Sequence, residues 1–76
     1  MSNNNRKQPT IKRGMIVRFA PEWCSEGERK YRMVVLESFP DVQRCLIKFL
    51  NTNMIIQPTE IVDFEMVIYT GVSVNE

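Results

Sequence analysis

Residues 32–50, RMVVLESFPDVQRCLIKFL, contain two runs of β-branched and other apolar residues on either side of a turn. The runs are 32–38 and 44–50, and the turn begins Phe39-Pro40-Asp41, with proline at a position that turns favour. Short runs of this composition that are bounded by turn residues are typical of β-strands. The segment therefore predicts two neighbouring strands of an all-β domain.

Three more runs of the same kind lie to either side, at 15–19, 54–57 and 64–69. In 15–19 and 44–50, apolar residues occupy every second position, which suits strands with one buried face. The run 32–38 is mostly apolar on both faces, so we place it at the centre of the sheet. Five short strands in 76 residues predict one small, all-β, barrel-like domain.

The predicted connections differ in length. Residues 20–32 carry proline, glycine and six charged side chains without a hydrophobic period, so they form a long first loop. The sequence Asn-Thr-Asn at 51–53 predicts a tight hairpin, because asparagine tolerates left-handed dihedral angles. Pro58 ends the fourth strand, since proline cannot donate to a ladder, and residues 58–62 predict one 3₁₀ turn. Gly71 is expected to end the fifth strand.

This order of strands, loops and turns resembles that of SH3-like barrels. The likeness covers residues 11–68 and depends on GMIVRF (14–19), MVVLE (33–37) and MIIQPTEIV (54–62). The same segments resemble small, uncharacterised domains of bacterial and phage type. The resemblance implies a five-stranded SH3-like small barrel with a long first loop, a tight distal hairpin and one 3₁₀ turn before the last strand. The Trp-Trp pair of SH3 domains that bind proline-rich peptides is missing.

Residues 11–71 are the predicted barrel, between a flexible polar tail at 1–10 and a short C-terminal tail at 72–76. The alternation of Val72 and Val74 leaves open an extension of the last strand into that tail. No apolar run approaches the roughly 18 residues that span a membrane, and no secretory signal is visible. We therefore expect a cytoplasmic protein that does not contact membranes.

The chain has no histidine and two cysteines, which limits its chemistry. Without histidine, Ser-His-Asp and Cys-His catalysis and most zinc and iron sites are excluded. The spacing of Cys24 and Cys45 fits no zinc site, so we expect two reduced thiols, one of them on a buried strand face. No glycine-rich phosphate loop is present. We predict no enzyme activity, no metal and no cofactor.

Charge is unevenly distributed although the net charge is only +1. Residues 1–32 hold eight cationic and three acidic side chains, whereas residues 33–76 hold two cationic and six acidic ones. Such a split focuses an electric field if the two halves occupy different faces. The candidate binding residues are Trp23 and Tyr31 together with a basic group, Lys12, Arg13, Arg18, Arg29, Lys30 and Arg32.

Each aromatic residue of this set has two interpretations. Trp23, in the polar first loop, is either an exposed anchor for a partner or a lid over one open end of the barrel. Tyr31 stands among cations, as in proteins that stack on bases of single-stranded nucleic acid, or it belongs to the core. If Tyr31 stacks on bases, the basic residues bind phosphates; if Tyr31 belongs to the core, they are solvated surface charges.

The leading hypothesis is a non-enzymatic binding or adaptor module that contacts a protein through the loop 20–32. Mixed charge around a central aromatic residue is typical of a protein interface. Phage and plasmid accessory proteins are often single small domains of this sort, and this analogy suggests a phage or mobile-element regulator or inhibitor of a host enzyme. The alternative is binding of single-stranded or duplex nucleic acid through the basic group. Residues 33–36 offer more apolar surface than a thin barrel buries, and the exposed surplus would favour a homodimer.

Overall fold

Residues 10–74, which the computed structural model describes, form one antiparallel sheet of five strands. The strands are β1 (Met15–Phe19), β2 (Met33–Phe39), β3 (Arg44–Phe49), β4 (Thr59–Asp63) and β5 (Val67–Ser73). The predicted all-β class is confirmed, since the described residues contain 3₁₀ turns but no α-helix. No helix within residues 10–74 is long and apolar enough to cross a membrane. Apart from Thr10, the predicted N-terminal tail lies outside the described residues.

β2 occupies the centre of the sheet, whose strand order is β4-β3-β2-β1-β5, as its two apolar faces predict. The first four strands are successive antiparallel neighbours, and β5 returns to pair with β1. The long first loop is also confirmed, and it holds 3₁₀ turns at Pro21–Trp23 and Glu26–Glu28. β4 and β5 are therefore the two edges of the sheet.

The sheet is open, so the prediction of a closed barrel is wrong. Closure would need a ladder between β4 and β5, but a 3₁₀ turn at Phe64–Met66 separates these strands. The Phe64 N–H donates to the Gln43 carbonyl, and the Ala20 N–H donates to the Met66 carbonyl, both at 2.9 Å. One end of the turn is thus fixed beside β3 and the other beside β1. Within residues 10–74 the two edge strands do not pair.

The core lies on one face of the sheet, where the alternating residues of β1, β2 and β3 converge. The buried apolar residues are Ile11, Met15, Val17, Ala20, Met33, Val35, Cys45, Ile47, Val62 and Val67. Full burial of a Val, Ile or Met side chain stabilises a fold by about 1.5–3 kcal/mol. Of the apolar run in β2, Met33 and Val35 are buried, while Val34 and Leu36 are half-buried. The alternation in the sequence therefore assigns the buried face correctly.

Residues 54–57 are not a strand, so that prediction is wrong. They belong to a nine-residue loop, residues 50–58, which joins β3 to β4. Met54, Ile55 and Ile56 are 60 %, 101 % and 82 % exposed. The tight hairpin predicted at 51–53 is wrong for the same reason, because the chain turns over nine residues rather than three.

Side-chain hydrogen bonds explain why this loop is not a strand. The Gln57 Oε1 atom accepts hydrogen bonds from the Thr52 N–H (3.1 Å) and the Thr52 hydroxyl (2.6 Å). The Gln57 Nε2 atom donates to the Met54 carbonyl at 3.3 Å. The loop thereby closes on itself around one amide side chain. These hydrogen bonds within the loop override the strand preference of methionine and isoleucine.

The fourth strand lies where the sequence predicts a 3₁₀ turn. Residues Thr59–Asp63 pair with β3, and Val62 enters the core. Pro58 stands just before this strand, and its carbonyl accepts a hydrogen bond from the Phe49 N–H at 2.9 Å. Because the missing N–H of proline is then outside the strand, Pro58 begins the ladder with β3 instead of ending one.

A 3₁₀ turn does precede the last strand, as predicted, but at Phe64–Met66 instead of 58–62. β5 consequently begins at Val67, three residues later than the sequence indicates. It then continues through Gly71, whose φ is +95°, and ends at Ser73. The strand enters the segment 72–76 that the sequence assigns to a tail, as the alternation of valines left open.

Candidate functional site

A cleft of about 280 Å³ opens between the first loop, the end of β3, β4 and the Phe64–Met66 turn. We call it the aromatic cleft. Its lining residues are Phe19, Trp23, Glu28, Tyr31, Phe49, Glu60, Ile61, Val62 and Met66. It therefore brings two of the predicted binding residues, Trp23 and Tyr31, together with residues from three strands.

Three aromatic rings of the cleft form a connected cluster. The ring of Phe49 lies 6.0 Å from that of Phe19, at an interplanar angle of 56°. It lies 5.7 Å from the Tyr31 ring, which meets it edge-on at 85°. Phe19 and Phe49 are the last residues of β1 and β3, so the pairing of both strands with β2 brings their rings together. Pairs at this separation are each worth about 0.5–1.5 kcal/mol.

Tyr31 lies at the edge of the core. It packs against the core with one side, and it is half-buried rather than enclosed. The Lys30 ammonium stands 5.8 Å from the centre of the Tyr31 ring, within the range of a cation–π contact. The Tyr31 ring is thus already fixed by Phe49 and by Lys30, and it forms a wall of the cleft rather than a free stacking platform.

Trp23 lies at the mouth of the aromatic cleft. It ends the 3₁₀ turn Pro21–Trp23, and its N–H donates to the Ala20 carbonyl at 2.9 Å. Ala20 is completely buried, so the backbone below the indole is anchored in the core. The side chain is 47 % exposed. It is therefore neither a buried lid nor a freely projecting ring, and about half of its surface is open to a ligand.

Glu28 and Glu60 make the aromatic cleft acidic, since no lysine or arginine lines it. Glu28 ends a 3₁₀ turn, and its Oε1 atom accepts a hydrogen bond from the Ser25 N–H at 2.9 Å in a capping box. That bond holds the carboxylate in place at the loop side. Glu60 projects from β4 on the opposite side and is exposed. A cation between them would meet negative charge from both walls.

The predicted basic group is divided between two ends of the sheet. Lys12 and Arg13 line a separate cavity of about 280 Å³ beside β5. Just before them, the Ile11 carbonyl accepts a hydrogen bond from the Ser38 hydroxyl near the end of β2. Arg32 stands at the start of β2, six residues of strand away, which is roughly 20 Å at 3.3 Å per residue. The basic group therefore does not form one compact cluster.

The cations at the Arg32 end differ in their exposure and in their hydrogen bonds. The Arg32 Nη1 atom donates to the carbonyls of Arg29 and Tyr31, both at 2.9 Å, so the guanidinium fastens the end of the first loop. Arg18 is half-buried on β1, opposite Ile68. Arg29 and Lys30 are exposed. Of the predicted group, these two offer the most accessible charge beside the cleft.

A larger cavity, of about 370 Å³, lies beside the turn between β2 and β3. Its charged pair, Arg44 and Asp63, is joined by a 3.1 Å contact between Nε and Oδ1. Phe64 is its one aromatic wall. Glu65 adds a second carboxylate to this cavity, but its single aromatic residue compares with four in the aromatic cleft, so we regard the aromatic cleft as the better candidate site.

The two cysteines carry free thiols, and one is buried, as predicted. Burial raises the pKa of the Cys45 thiol from its ordinary value of 9.0 to about 11. The thiol therefore keeps its proton at neutral pH, and only the thiolate is a strong nucleophile. Within residues 10–74, no three His, Cys, Asp or Glu side chains converge in a way that could hold a metal ion.

Seven of the nine lining residues were not among the predicted binding residues: Phe19, Glu28, Phe49, Glu60, Ile61, Val62 and Met66. The two phenylalanines do carry a signal, because each ends an alternating apolar series on the core face of its strand. Such a position places a ring at the rim of the core. Glu60 could not be found, because the sequence does not reveal that β4 begins at Thr59.

Comparison of the chain with known proteins adds no relative to this description. The chain matches no known protein family, no curated protein and no solved structure. What the chain binds therefore has to be inferred from the aromatic cleft and the strands around it.

Proposed function

We propose that this chain is a non-enzymatic binding module that holds a basic segment of a partner protein in the aromatic cleft. The observation that carries the proposal is the combination of four aromatic residues with two carboxylates and no cation in the cleft lining. Aromatic faces attract cations through their quadrupoles, and carboxylates attract them through charge. A lysine or arginine side chain of the partner meets both requirements.

The expected affinity follows from these contributions. A cation over an aromatic face gains about 0.5–2 kcal/mol, and an exposed ion pair gains about 0.2–1 kcal/mol. The aliphatic stem of lysine or arginine packs on the rings of Trp23 and Phe49 at the same time. Together these terms give a few kcal/mol, which corresponds to weak binding by one side chain. A specific partner needs further contacts beyond the cleft.

Nucleic acid is the less favoured partner. The acidic cleft repels phosphate, and the basic group is split between two ends of the sheet. The Nη1 atom of Arg32, moreover, already donates hydrogen bonds to two backbone carbonyls. The exposed cations of the basic group at the Arg32 end, Arg29 and Lys30, are too few for the several phosphate contacts that give tight binding.

The strand order supports the further proposal that the sheet is an open variant of the SH3-like arrangement. A long first loop, a short turn after β2 and a 3₁₀ turn before β5 occur in the succession that the resemblance implies. The first loop supplies Trp23, Glu28 and Tyr31 to the aromatic cleft.

The fluorescence of Trp23 provides the test, because it is the one tryptophan of the chain. The probe is a short peptide of alternating lysine and valine residues, and the control peptides replace lysine with norleucine or glutamate. We expect a saturable change in Trp23 fluorescence with the lysine peptide and none with either control peptide. A response to the norleucine peptide of equal strength would overturn the electrostatic part of the proposal, and a response to oligonucleotides instead would favour the alternative partner.

Charge reversal in the protein completes this test. Glu60→Lys places a cation in the cleft, and we expect the Kd for the lysine peptide to rise about tenfold. Glu37→Lys is the matched control, since Glu37 is also an exposed carboxylate on a strand but does not line the cleft. Both variants change the net charge equally. An equal loss of affinity in the two variants would show that general charge, and not the cleft, attracts the peptide.

A further inference from the structure

The free edge of β4 has a defined hydrogen-bonding pattern. Residues of β3 and β4 pair in a regular register, from Arg44 with Asp63 to Lys48 with Thr59. Just beyond both ends of this register, the Phe49 N–H donates to the Pro58 carbonyl and the Phe64 N–H donates to the Gln43 carbonyl. These two contacts are hydrogen-bonded pairs, and such pairs alternate with non-hydrogen-bonded pairs along an antiparallel ladder.

The alternation assigns every backbone group of β4 to one side. Counting from both ends, Glu60 and Val62 direct their N–H and C=O groups towards β3. Thr59, Ile61 and Asp63 direct theirs away from the sheet. β4 pairs with β3 alone among the strands of residues 10–74, so these outward groups form an open edge. The central residue of this edge, Ile61, is 58 % exposed.

The open edge borders the aromatic cleft. Glu60, Ile61 and Val62 belong to β4 and also line the cleft. Side chains alternate along a strand, so Glu60 lies on the same face of the sheet as the buried Val62. A strand laid along β4 would therefore place every second side chain on the cleft face, and the residue opposite Glu60 would stand at its mouth.

Charge decides which strand the edge accepts. A second copy of the chain, paired β4 to β4, would bring two sets of Glu60 and Asp63 carboxylates together, and like charges at an edge oppose pairing. A basic strand meets opposite charge instead, from Glu60 on the edge and from Glu28 across the cleft. The same carboxylates that hinder self-association thus favour a basic partner segment.

We propose that the basic segment binds by adding to β4 as a sixth strand, with a lysine or arginine opposite Glu60 entering the aromatic cleft. This inference rests on the proposed function and supplies the contacts that one side chain lacks. Main-chain bonds from Thr59, Ile61 and Asp63 provide affinity without regard to sequence, while the cleft selects the basic residue. The partner segment must accordingly be extended and free of proline at the paired positions.

Amide hydrogen exchange of the labelled protein tests the inference residue by residue. The probe is the alternating lysine–valine peptide. We expect the amides of Ile61 and Asp63 to exchange about tenfold more slowly when free peptide is ten times its Kd, because they then exchange from the unbound fraction alone. The amides of Glu60 and Val62, already bonded to β3, should change far less. Protection without this alternation would overturn the proposal.

Two substitutions at one position provide a second measurement. Both variants lose the isoleucine side chain, but Ile61→Pro also removes the outward N–H, so it should bind the lysine peptide at least tenfold more weakly than Ile61→Thr, which keeps that group. Exchange rates of the core amides in the free variants show whether both remain folded. Equal affinity of the two variants would overturn strand addition.

The outcomes separate the two proposals. If the peptide changes Trp23 fluorescence while the amides of Ile61 and Asp63 stay unprotected, strand addition fails and the aromatic cleft remains as the site. If the lysine peptide does not bind at all, the proposed function fails and the strand addition fails with it. Protection of the same amides that rises with protein concentration, without peptide, would identify a second copy as the occupant and overturn the basic segment.

Discussion

Proline at two adjacent positions of β4 should have very different effects on stability. Glu60 directs its N–H to β3, where the Ile47 carbonyl accepts it, whereas Ile61 directs its N–H to solvent. Glu60→Pro removes the first group and Ile61→Pro the second. Both side chains are exposed, so the two substitutions differ mainly in the backbone group that they delete.

The magnitude follows from what each deletion leaves behind. Glu60→Pro loses one hydrogen bond, worth about 0.5–1.5 kcal/mol, and leaves the carbonyl of Ile47 without its donor. Because Ile47 is completely buried, that unsatisfied group costs about 1–3 kcal/mol more. We therefore expect a loss of about 2–4 kcal/mol. Ile61→Pro breaks no ladder bond and removes a side chain that is 58 % exposed, so we expect less than about 1 kcal/mol.

Urea unfolding, followed by far-ultraviolet circular dichroism, measures both losses. A domain of this size has a free energy of unfolding of about 3–10 kcal/mol and an m-value near 1 kcal/mol per molar urea. Glu60→Pro should lower the midpoint by about 2–4 M or unfold the protein outright, and Ile61→Pro should leave it within about 1 M. Equal losses, or a larger loss for Ile61→Pro, would refute the alternation assigned to β4 and with it the open edge.

Three further substitutions test other parts of the fold. Burial raises the pKa of Cys45 to about 11, so the unfolded chain releases the thiol proton at lower pH than the folded chain. The contribution of the protonated thiol to stability is therefore complete below pH 9 and declines between pH 9 and pH 11. Urea unfolding at pH 7 and pH 10 should show a decline about 1 kcal/mol greater in the wild type than in Cys45→Ala, and equal declines would contradict the burial effect. Gly14→Ala should cost about 2 kcal/mol in calorimetry, because Gly14 has φ +91° and a Cβ there would lie 3.0 Å from the Val74 carbonyl oxygen. A Cβ at Gly27 would meet nothing within 4 Å, so the control Gly27→Ala should be nearly neutral. Phe49→Leu removes two ring pairs and should cost about 1–3 kcal/mol and weaken the lysine peptide, while Phe39→Leu, at the end of β2, should affect peptide binding little.

Much of the sheet was predictable because local pattern and tertiary structure agree in its first half. β1 has the predicted bounds, β2 begins and ends one residue later than predicted, β3 ends one residue earlier, and the buried face follows the apolar alternation. The central place of β2 was predictable as well, since a strand with neighbours on both sides can be apolar on both faces. These features depend on side chains a few residues apart.

The second half was misassigned because particular side-chain hydrogen bonds and strand pairings decide it. Met54, Ile55 and Ile56 have strand composition, yet Gln57 binds Thr52 and keeps them in a loop. β4 follows Pro58 and is recognisable only from its pairing with β3. Whether the edges meet depends on the Phe64–Met66 turn, which hydrogen bonds fix to two different strands. No local pattern reports such contacts.

The candidate site shows the same division. Trp23 and Tyr31 were predicted from an aromatic residue in a charged loop, and both line the aromatic cleft. The charge of the site was not predictable from the sequence. Of the cations that surround Tyr31 in the chain, Arg32 binds backbone carbonyls and Lys30 stands over the Tyr31 ring, while the carboxylates of the cleft come from Glu28 and from Glu60 on β4.

The return of β5 to β1 has a consequence for the order in which the chain folds. Turn 40–43 joins β2 to β3 across four residues, whereas 47 residues separate β1 from β5. The entropy of closing the longer loop costs about 2 kcal/mol more. We therefore expect the β2–β3 hairpin to form before β5 docks. Substitutions in the hairpin should slow folding, and those in β5 should mainly accelerate unfolding.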